Sequence, residues 1–163
     1  MKKYKLRKYN TNFPKLFEEE KRKLKKVLPE SKIEHIGSTA VFGLKGKGII
    51  DIIIAVPKKE IEKAKNLFVK DNYIFKPKAG DKNRLFFQKD YWKLFGKRRV
   101  HLHLTIPNGK DWKECINVRN KLRKSLKLKK QYEELKKEAI VYAKGEGKKY
   151  REYKNKFLKE LSK

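Results

Sequence analysis

A glycine–serine turn and one carboxylate beyond it are the residues of this chain whose types and spacing could do chemistry. Gly37 and Ser38 follow a short apolar segment, and Asp51 stands thirteen residues after Ser38 within a run of isoleucines. Glycine allows close backbone approach and serine supplies a hydroxyl, so the turn could hold a phosphate; an ordinary tight turn is the alternative. A buried carboxylate is costly unless a cation or a metal pairs with it. Asp51 could therefore ligate a magnesium ion that also binds nucleotide oxygens, or it could pair with one of the many lysines.

The three histidines fall beside this turn or on one later segment. His35 precedes the turn, whereas His101 and His103 stand two residues apart in a predicted strand. Alternate strand residues share a face, so the two imidazoles and a neighbouring carboxylate could form a metal site of transition-metal character. The alternative is a pair of structural histidines satisfied by hydrogen bonds.

Cations and aromatic side chains around the predicted strands could bind the rest of a nucleotide. The candidate phosphate-binding cations, which could equally be solvated surface charge, are Lys45, Lys47, Arg84, Arg98 and Arg99. The side chains that could stack on a base, each also explained as core, are Tyr4, Tyr9, Phe86, Phe87, Tyr91 and Trp92. The chain has no Walker loop, no Gly-x-Ser-x-Gly elbow and no zinc-type cysteine pattern.

The charge of the chain is strongly positive. Its 163 residues carry 47 Lys plus Arg against 19 Asp plus Glu, a formal net charge of +28. Such an excess indicates a polyanionic partner such as RNA or another polyanion. The charge is spread along the chain and comes mostly from lysine, so a lysine-rich proteome explains it equally well.

Length and cysteine usage indicate one domain in a reducing compartment. A chain of this size can bury a core without disulfides, and the single Cys115 agrees with a cytoplasmic setting. No apolar stretch follows the basic first residues, and the longest apolar run, 49–56, is too short to cross a bilayer. We expect a cytoplasmic protein that does not associate with membranes.

Apolar periodicity predicts a helix, a set of strands with one intervening helix, and then a helical last third. The predicted helices are 12–28, 60–71, 111–125, 129–143 and 148–161, and the predicted strands are 32–36, 49–56, 73–76, 84–89 and 99–106. This order is typical of a single α+β domain over residues 1–163, with an α/β core over 1–110 and a helical subdomain over 111–163.

Several segments together resemble one known family along essentially the whole chain. They are Tyr9–Lys21, Ile33–Val41 with Gly43-Leu44, Lys47 and Ile49–Ile52, Arg84 with Phe86-Phe87, His101-Leu-His103, Arg119, and Tyr150–Leu158 with its Tyr-x-x-x-Lys-x-x-Phe-Leu pattern. This set resembles the GrpB family, a branch of the nucleotidyltransferase superfamily that includes DNA polymerase beta-like and aminoglycoside-modifying enzymes. The resemblance implies a mixed nucleotidyltransferase-type sheet flanked by helices.

The superfamily's chemistry, carried over by position, is metal-assisted transfer of a nucleoside monophosphate from a nucleoside triphosphate to an acceptor, here RNA, protein or a small molecule. The residues assigned to nucleotide binding are Gly37, Ser38, Thr39, Lys47 and Arg84. Asp51, His101 and His103 are the catalytic candidates, with Asp51 and His103 as ligands of Mg²⁺ or Mn²⁺ rather than Zn²⁺. In the superfamily a second carboxylate stands two residues beyond the first, and here that residue is Ile53.

Two other functions are compatible with the same residues. One is a catalytically silent nucleotide- or RNA-binding module that keeps the turn and the basic surface. The other is a phosphohydrolase in which histidines and a carboxylate hold the metal.

Overall fold

A five-stranded mixed sheet lies at the centre of the protein. The structure, a computed structural model, describes residues 5–93 and 96–163, so Tyr4 lies outside the described residues. The strands are β1 (Lys32–Ile36), β2 (Ile50–Ala55), β3 (Ile74–Phe75), β4 (Leu85–Lys93) and β5 (Gly96–Thr105). Their order is β1-β2-β5-β4-β3; β2 and β5 are parallel, and every other neighbouring pair is antiparallel. The predicted α+β class and mixed sheet are confirmed.

Helices pack on both faces of this sheet. They are α1 (Phe13–Val27), α2 (Ile61–Lys70), α3 (Lys110–Lys124), α4 (Leu126–Ala143) and α5 (Gly147–Ser162), and short 3₁₀ helices cover Ser38–Ala40, Lys58–Glu60 and Pro77–Ala79. Within the described residues no helix is long and apolar enough to cross a membrane. Each predicted helix is present, and α4 begins three residues earlier than predicted because Ser125 caps it by accepting a hydrogen bond from the Leu128 amide.

The main core lies between one face of the sheet and helices α1 and α2. Alternate residues of the central strands point to this face, including Ile52 and Ile54 of β2. The other members of the core are Phe17, Leu24, Leu28, Ile33, Ile50, Val56, Ala64, Phe68, Tyr73, Phe87, Val100, Leu102 and Leu104. Because β2 is buried on both sides, its sequence reads as a continuous apolar run in which Asp51 is the exception.

The opposite face of the sheet carries the polar residues and is partly covered by α3, α4 and α5. Asp51 and Ile53 share this face with their parallel partners His101 and His103 on β5. A second apolar cluster joins the three C-terminal helices to the loop after β1 through Val41, Leu44, Leu122, Tyr132 and Leu161. The helical third is therefore fixed against the turn that precedes Asp51.

A buried polar cluster joins α1 to β4. The Glu20 side chain, fully buried, accepts hydrogen bonds from the hydroxyls of Tyr73 and of Tyr91, the latter at 2.6 Å. Arg98 lies 3.9 Å from the same carboxylate. Burial and the adjacent Glu20 raise the pKa of both tyrosines, so they remain hydrogen-bond donors.

Strands β4 and β5 continue as a two-stranded ribbon beyond the rest of the sheet. The first residue of β2, Ile50, pairs with Val100, so residues 96–99 of β5 have β4 as their neighbour. We use "ribbon" for residues 90–93 and 96–99. The predicted strands stopped at 89 and restarted at 99 because the ribbon mixes charged and aromatic residues without the apolar alternation of a half-buried strand.

Candidate active site

Asp51 and His101 form the centre of the candidate site. They are direct neighbours on β2 and β5, and the His101 Nδ1 atom lies 3.0 Å from Asp51 Oδ1. The Asp51 side chain keeps 24% of its surface exposed, so the carboxylate is open to a ligand. Burial raises the pKa of the Asp51 carboxyl, but the hydrogen bond with His101 and the nearby His103 imidazole outweigh this and hold the pKa below its ordinary value. Asp51 is therefore an anion over the whole physiological pH range.

His103 lies against the same carboxylate at a longer distance. Its Nε2 atom is 4.0 Å from Asp51 Oδ1, and its buried Nδ1 atom has no hydrogen-bond partner. Burial lowers the pKa of His103, so the ring is neutral near pH 7. Phe86 lies edge-on to both imidazoles, with ring centroids 4.8 Å from His101 and 5.1 Å from His103. The sequence left open whether the histidines meet Asp51; in the structure His101 and His103 both lie beside it, and the Phe86 ring packs against the two imidazoles.

The glycine–serine turn approaches Asp51 closely. Gly37 has φ +72°, a conformation that favours glycine, and a Cβ atom placed there would lie 2.5 Å from Asp51 Oδ2. Ser38 begins the 3₁₀ helix and lies over Gly46, where an added Cβ would meet its Oγ atom at 2.1 Å. Both glycines are thus required by the packing of this turn. The backbone at Gly37 therefore lies against the Asp51 carboxylate, and the Ser38 side chain lies against Gly46.

The side chains of Thr39 and His35 are buried and bond to each other. The Thr39 hydroxyl donates to the Ile49 carbonyl at 2.9 Å, so it accepts from His35 Nε2–H, also at 2.9 Å. His35 stacks on Phe17 with a centroid distance of 4.6 Å, and burial lowers its pKa to about 4. The structure therefore places the predicted nucleotide-binding Thr39 in a buried link between β1 and the start of β2, and His35 does not converge on Asp51.

Two arginines of α3 hold the backbone on either side of the turn. Arg119 donates through Nη1 to the His35 carbonyl at 2.9 Å and to Glu34 Oε2 at 2.5 Å. Arg123 donates through Nε to the Ala40 carbonyl at 2.9 Å. Backbone carbonyls at both ends of the 36–39 segment are therefore satisfied by side chains of the helical third. Arg119 was part of the family resemblance, and its contacts assign it a positioning role.

Lys47 lies next to basic residues of α5 at the edge of the site. Its Nζ atom lies 3.7 Å from the ring centroid of Tyr150. Burial and the charges of Lys154, Arg151 and Arg99 lower the pKa of Lys47 to about 7, against the attraction of Asp51. Lys154 lies over the same tyrosine ring at 4.5 Å. We call Lys47, Arg99, Arg151 and Lys154 the cation group.

The predicted cations Arg84, Lys45 and Arg98 are not part of the cation group. Arg84 is beside His103 but is engaged with Asp111 at 3.7 Å and with the Cys115 sulfur at 3.8 Å. Lys45 pairs with Glu133, and its carbonyl accepts a hydrogen bond from Lys136.

Arg98 lies on the opposite face beside Glu19 and Glu20. Among the predicted aromatic residues, Phe87 is in the main core and Tyr91 donates to Glu20. Tyr9 packs edge-on against Phe13 and Phe42.

Sequence reasoning missed the contribution of α4 and α5 to this site. The charges of Arg151 and Lys154 lower the pKa of Lys47, and the charge of Lys154 lowers that of the buried Lys136. Burial and the charge of Asp51 raise the pKa of Tyr132. The Tyr-x-x-x-Lys pattern contained the signal, because Tyr150 and Lys154 are its first and last residues. Only the folded chain shows that this helix returns to the turn.

The position of the superfamily's second carboxylate is part of the protein interior. Ile53 points to the same face as Asp51, as alternate strand residues must, and it is fully buried between its cross-strand neighbours Glu34 and His103. Within the described residues no group of three His, Cys, Asp or Glu side chains is placed to hold a metal ion. Any Mg²⁺ or Mn²⁺ at this site would have Asp51 as its carboxylate ligand and would need phosphate and water for its other ligands, because the described residues form no protein cage.

Comparison with solved structures identifies the class of fold. Cid1 poly(U) polymerase, in a crystal structure with MgGTP bound, superposes with a TM-score of 0.56 over 84% of this chain and 44% of that chain, at 14% identity. At this identity the likeness concerns the fold alone, which this chain shares with that polymerase.

Closer relatives cover nearly the whole chain. The conserved protein GrpB from Enterococcus faecalis superposes with a TM-score of 0.80 and 29% identity over 97% of this chain and 94% of that chain. The glutamate-rich protein GrpB of Alkalihalophilus pseudofirmus is 30% identical over 158 residues, which are 94% of this chain and 90% of that protein. The family model described as GrpB protein matches residues 3–163. The chain belongs to the GrpB family, and the resemblance inferred from the sequence is confirmed.

Proposed function

We propose that this protein is a metal-dependent nucleotidyltransferase that transfers a nucleoside monophosphate from a nucleoside triphosphate to an acceptor hydroxyl. The observation that supports this most directly is the approach of Gly37 to Asp51, with the cation group beside them. A glycine–serine turn, an anionic oxygen and several cations within one cleft match the needs of a metal–triphosphate complex. The nucleotidyltransferase fold agrees with this assignment.

Each residue of the cleft has a separate role in the proposed reaction. The amides that follow Gly37, the Ser38 hydroxyl and Lys47 bind the phosphates, and Arg99, Arg151 and Lys154 balance their charge. The Asp51 Oδ2 atom faces the turn and would ligate Mg²⁺ or Mn²⁺ together with phosphate oxygens. When bound, the metal supplies charge stabilisation to the phosphoryl oxygens and the leaving group.

The Asp51–His101 pair provides the proton acceptor. Asp51 Oδ1 accepts from His101 Nδ1–H, and this fixes the tautomer in which Nε2 carries a lone pair. That nitrogen takes the proton of the acceptor hydroxyl as its oxygen bonds to the α-phosphorus. The bond from the α-phosphorus to the bridging oxygen breaks at the same time, and pyrophosphate leaves. A general base of this kind contributes about 10²–10⁴-fold to the rate.

The test is transfer from an α-labelled nucleoside triphosphate with Mg²⁺ or Mn²⁺, with RNA, protein and small hydroxyl compounds offered as acceptors. Wild type should label one acceptor class and release one pyrophosphate for each nucleotide transferred. Asp51→Asn should abolish transfer, whereas the control Asp71→Asn, at an acid paired with Lys89 on the far side of the sheet, should retain it. Transfer that survives Asp51→Asn would refute the proposed mechanism.

A second function, a nucleotide-binding module without catalysis, is favoured by the burial of Ile53 and by the single carboxylate of the cleft. The same experiment separates the two. Triphosphate binding that depends on Lys47, with no labelled product from any acceptor and either metal, would assign the protein to this second class.

A further inference from the structure

Trp92 on the ribbon is the most exposed of the large hydrophobic side chains described. It is 79% exposed, compared with 72% for Phe42 and Val141. A cation lies against its ring: Lys97 Nζ is over the indole, 4.9 Å from the centroid. An indole held open to solvent beside a lysine does not stabilise the core, and the ribbon side chains described on its face, Asp90, Lys97 and Arg99, are charged.

The ribbon places Trp92 on the same sheet face as Asp51. Along β4, Trp92, Asp90 and Gln88 are alternate residues and therefore share one face. Gln88 is the cross-strand neighbour of His101, which is the neighbour of Asp51. The indole and the carboxylate thus stand at two ends of one continuous surface. Four residues along β4 and two strand spacings separate them by about 16 Å, a span of a few extended nucleotides.

The surface between these two ends is positively charged. Asp90 is bonded by Arg99 through Nε at 2.8 Å and lies 2.7 Å from Lys97 Nζ, so two cations share one carboxylate. Arg99 also belongs to the cation group around Lys47. From the ribbon to the cleft, cations therefore outnumber acids along a path that ends at Asp51. Aromatic platforms joined to a basic groove are the features with which proteins bind single-stranded nucleic acid.

We propose that this surface binds single-stranded nucleic acid, with an unpaired base stacked on Trp92, phosphates on Lys97 and Arg99, and the strand end directed toward Asp51. The bases of a duplex are already stacked on one another, so the indole selects single strands. That the bound strand is the acceptor rests on the proposed transferase function, which leaves the acceptor open. That the surface binds single strands does not depend on that function.

Trp92 can report on its own contact. The chain has two tryptophans, so Trp112→Phe leaves Trp92 as the only indole. In this background an extended 12-nucleotide RNA should quench Trp92 emission as it saturates, whereas a duplex of the same length should not. Trp92→Ala should weaken binding about 5- to 100-fold, and Trp92→Phe should restore part of the affinity. The control Tyr142→Ala removes an aromatic side chain that is also exposed, on α4, and should leave the affinity unchanged.

Salt dependence tests the charged part of the surface. Lys97→Ala should lower the slope of log affinity against log salt by about 1, because one phosphate contact is lost. Unchanged Trp92 emission at saturation would overturn the proposal, and so would equal affinity of Trp92→Ala and wild type, or equal affinity for duplex and single strand. Two comparisons in wild type separate the two proposals. Quenching by RNA together with no labelled product from any acceptor refutes the transferase alone, and transfer to RNA without quenching refutes this surface alone. Asp51→Asn should abolish transfer and keep the quenching.

Discussion

Protonation of Lys47 should determine how triphosphate affinity changes with pH. In the free protein burial, together with the charge of Lys154, lowers the pKa of Lys47 to about 7. A triphosphate bound beside it adds negative charge and raises that pKa, so binding above neutral pH takes up a proton. Affinity should therefore be highest below the free pKa of about 7 and should fall as the pH rises above it.

The size of the effect follows from the protonated fraction. Between about pH 7.5 and about pH 9.0, a group with a pKa of about 7 loses about 20-fold of its protonated form. The affinity should fall by a similar factor as long as the pKa in the complex stays above 9. This range lies above the last ionisation of a phosphate group, near 6, so the ligand charge is constant.

Calorimetric titration with a non-hydrolysable triphosphate at fixed Mg²⁺ and ionic strength measures both the affinity and, from two buffers with different ionisation heats, the protons taken up. Lys47→Arg keeps the charge at every pH and should make the profile nearly flat. A smaller residual slope would come from Lys136, whose pKa burial lowers to about 8. An affinity that does not fall in wild type, or a profile that is the same in Lys47→Arg, would refute this reasoning.

Three further substitutions test the turn, the buried polar cluster and the carboxylate. Gly37→Ala should abolish triphosphate binding and lower the melting temperature, because the new Cβ would lie 2.5 Å from Asp51 Oδ2. The control is Gly43→Ala, also at positive φ but with no atom within 4 Å. It should lower the free energy of unfolding by about 1 kcal/mol and leave binding intact. Glu20→Gln should reduce the free energy of unfolding in urea by about 1–3 kcal/mol, because two tyrosine hydroxyls and Arg98 lose a charged partner. The control Glu19→Gln, in a partly exposed ion pair with Arg98, should change that free energy by less than about 1 kcal/mol. Because the pKa of Asp51 is lowered, its ionised, paired form stabilises the fold above the ordinary carboxyl pKa, and this contribution is lost as the pH falls. The free energy of unfolding should therefore fall less steeply with acid in Asp51→Asn than in wild type. Identical pH profiles of the two proteins would contradict the assigned pairing.

The residues at the centre of the site could be singled out from the sequence, but not their contact with one another. Asp51 interrupts an apolar run, and His101 and His103 alternate along a strand, so strand periodicity places each pair on one face. The pairing of Asp51 with His101 depends on the register of two parallel strands that are fifty residues apart in sequence, and local patterns do not specify that register.

The remainder of the site depends on long-range packing. Thr39 was assigned to nucleotide binding by position, and its hydroxyl instead links His35 to Ile49 below the turn. Arg151 and Lys154 lie on a helix whose charged residues resemble ordinary solvated surface, and their approach to Lys47 depends on how α5 packs. The ribbon was underpredicted for a related reason: its strands are held by backbone pairing and have no apolar face to mark them.

The buried position of Ile53 has a consequence for how this protein can change. A carboxylate introduced there would stand without solvent beside the like charge of Glu34, with the neutral His103 as its other neighbour, at a cost of several kcal/mol. A second carboxylate at position 53 thus requires α3 to move away from β1 and β2, so that water or a cation can reach the new acid. A single substitution at this position therefore does not convert the site to two-carboxylate chemistry. Engineering a second metal ligand here means redesigning the packing of α3 together with residue 53.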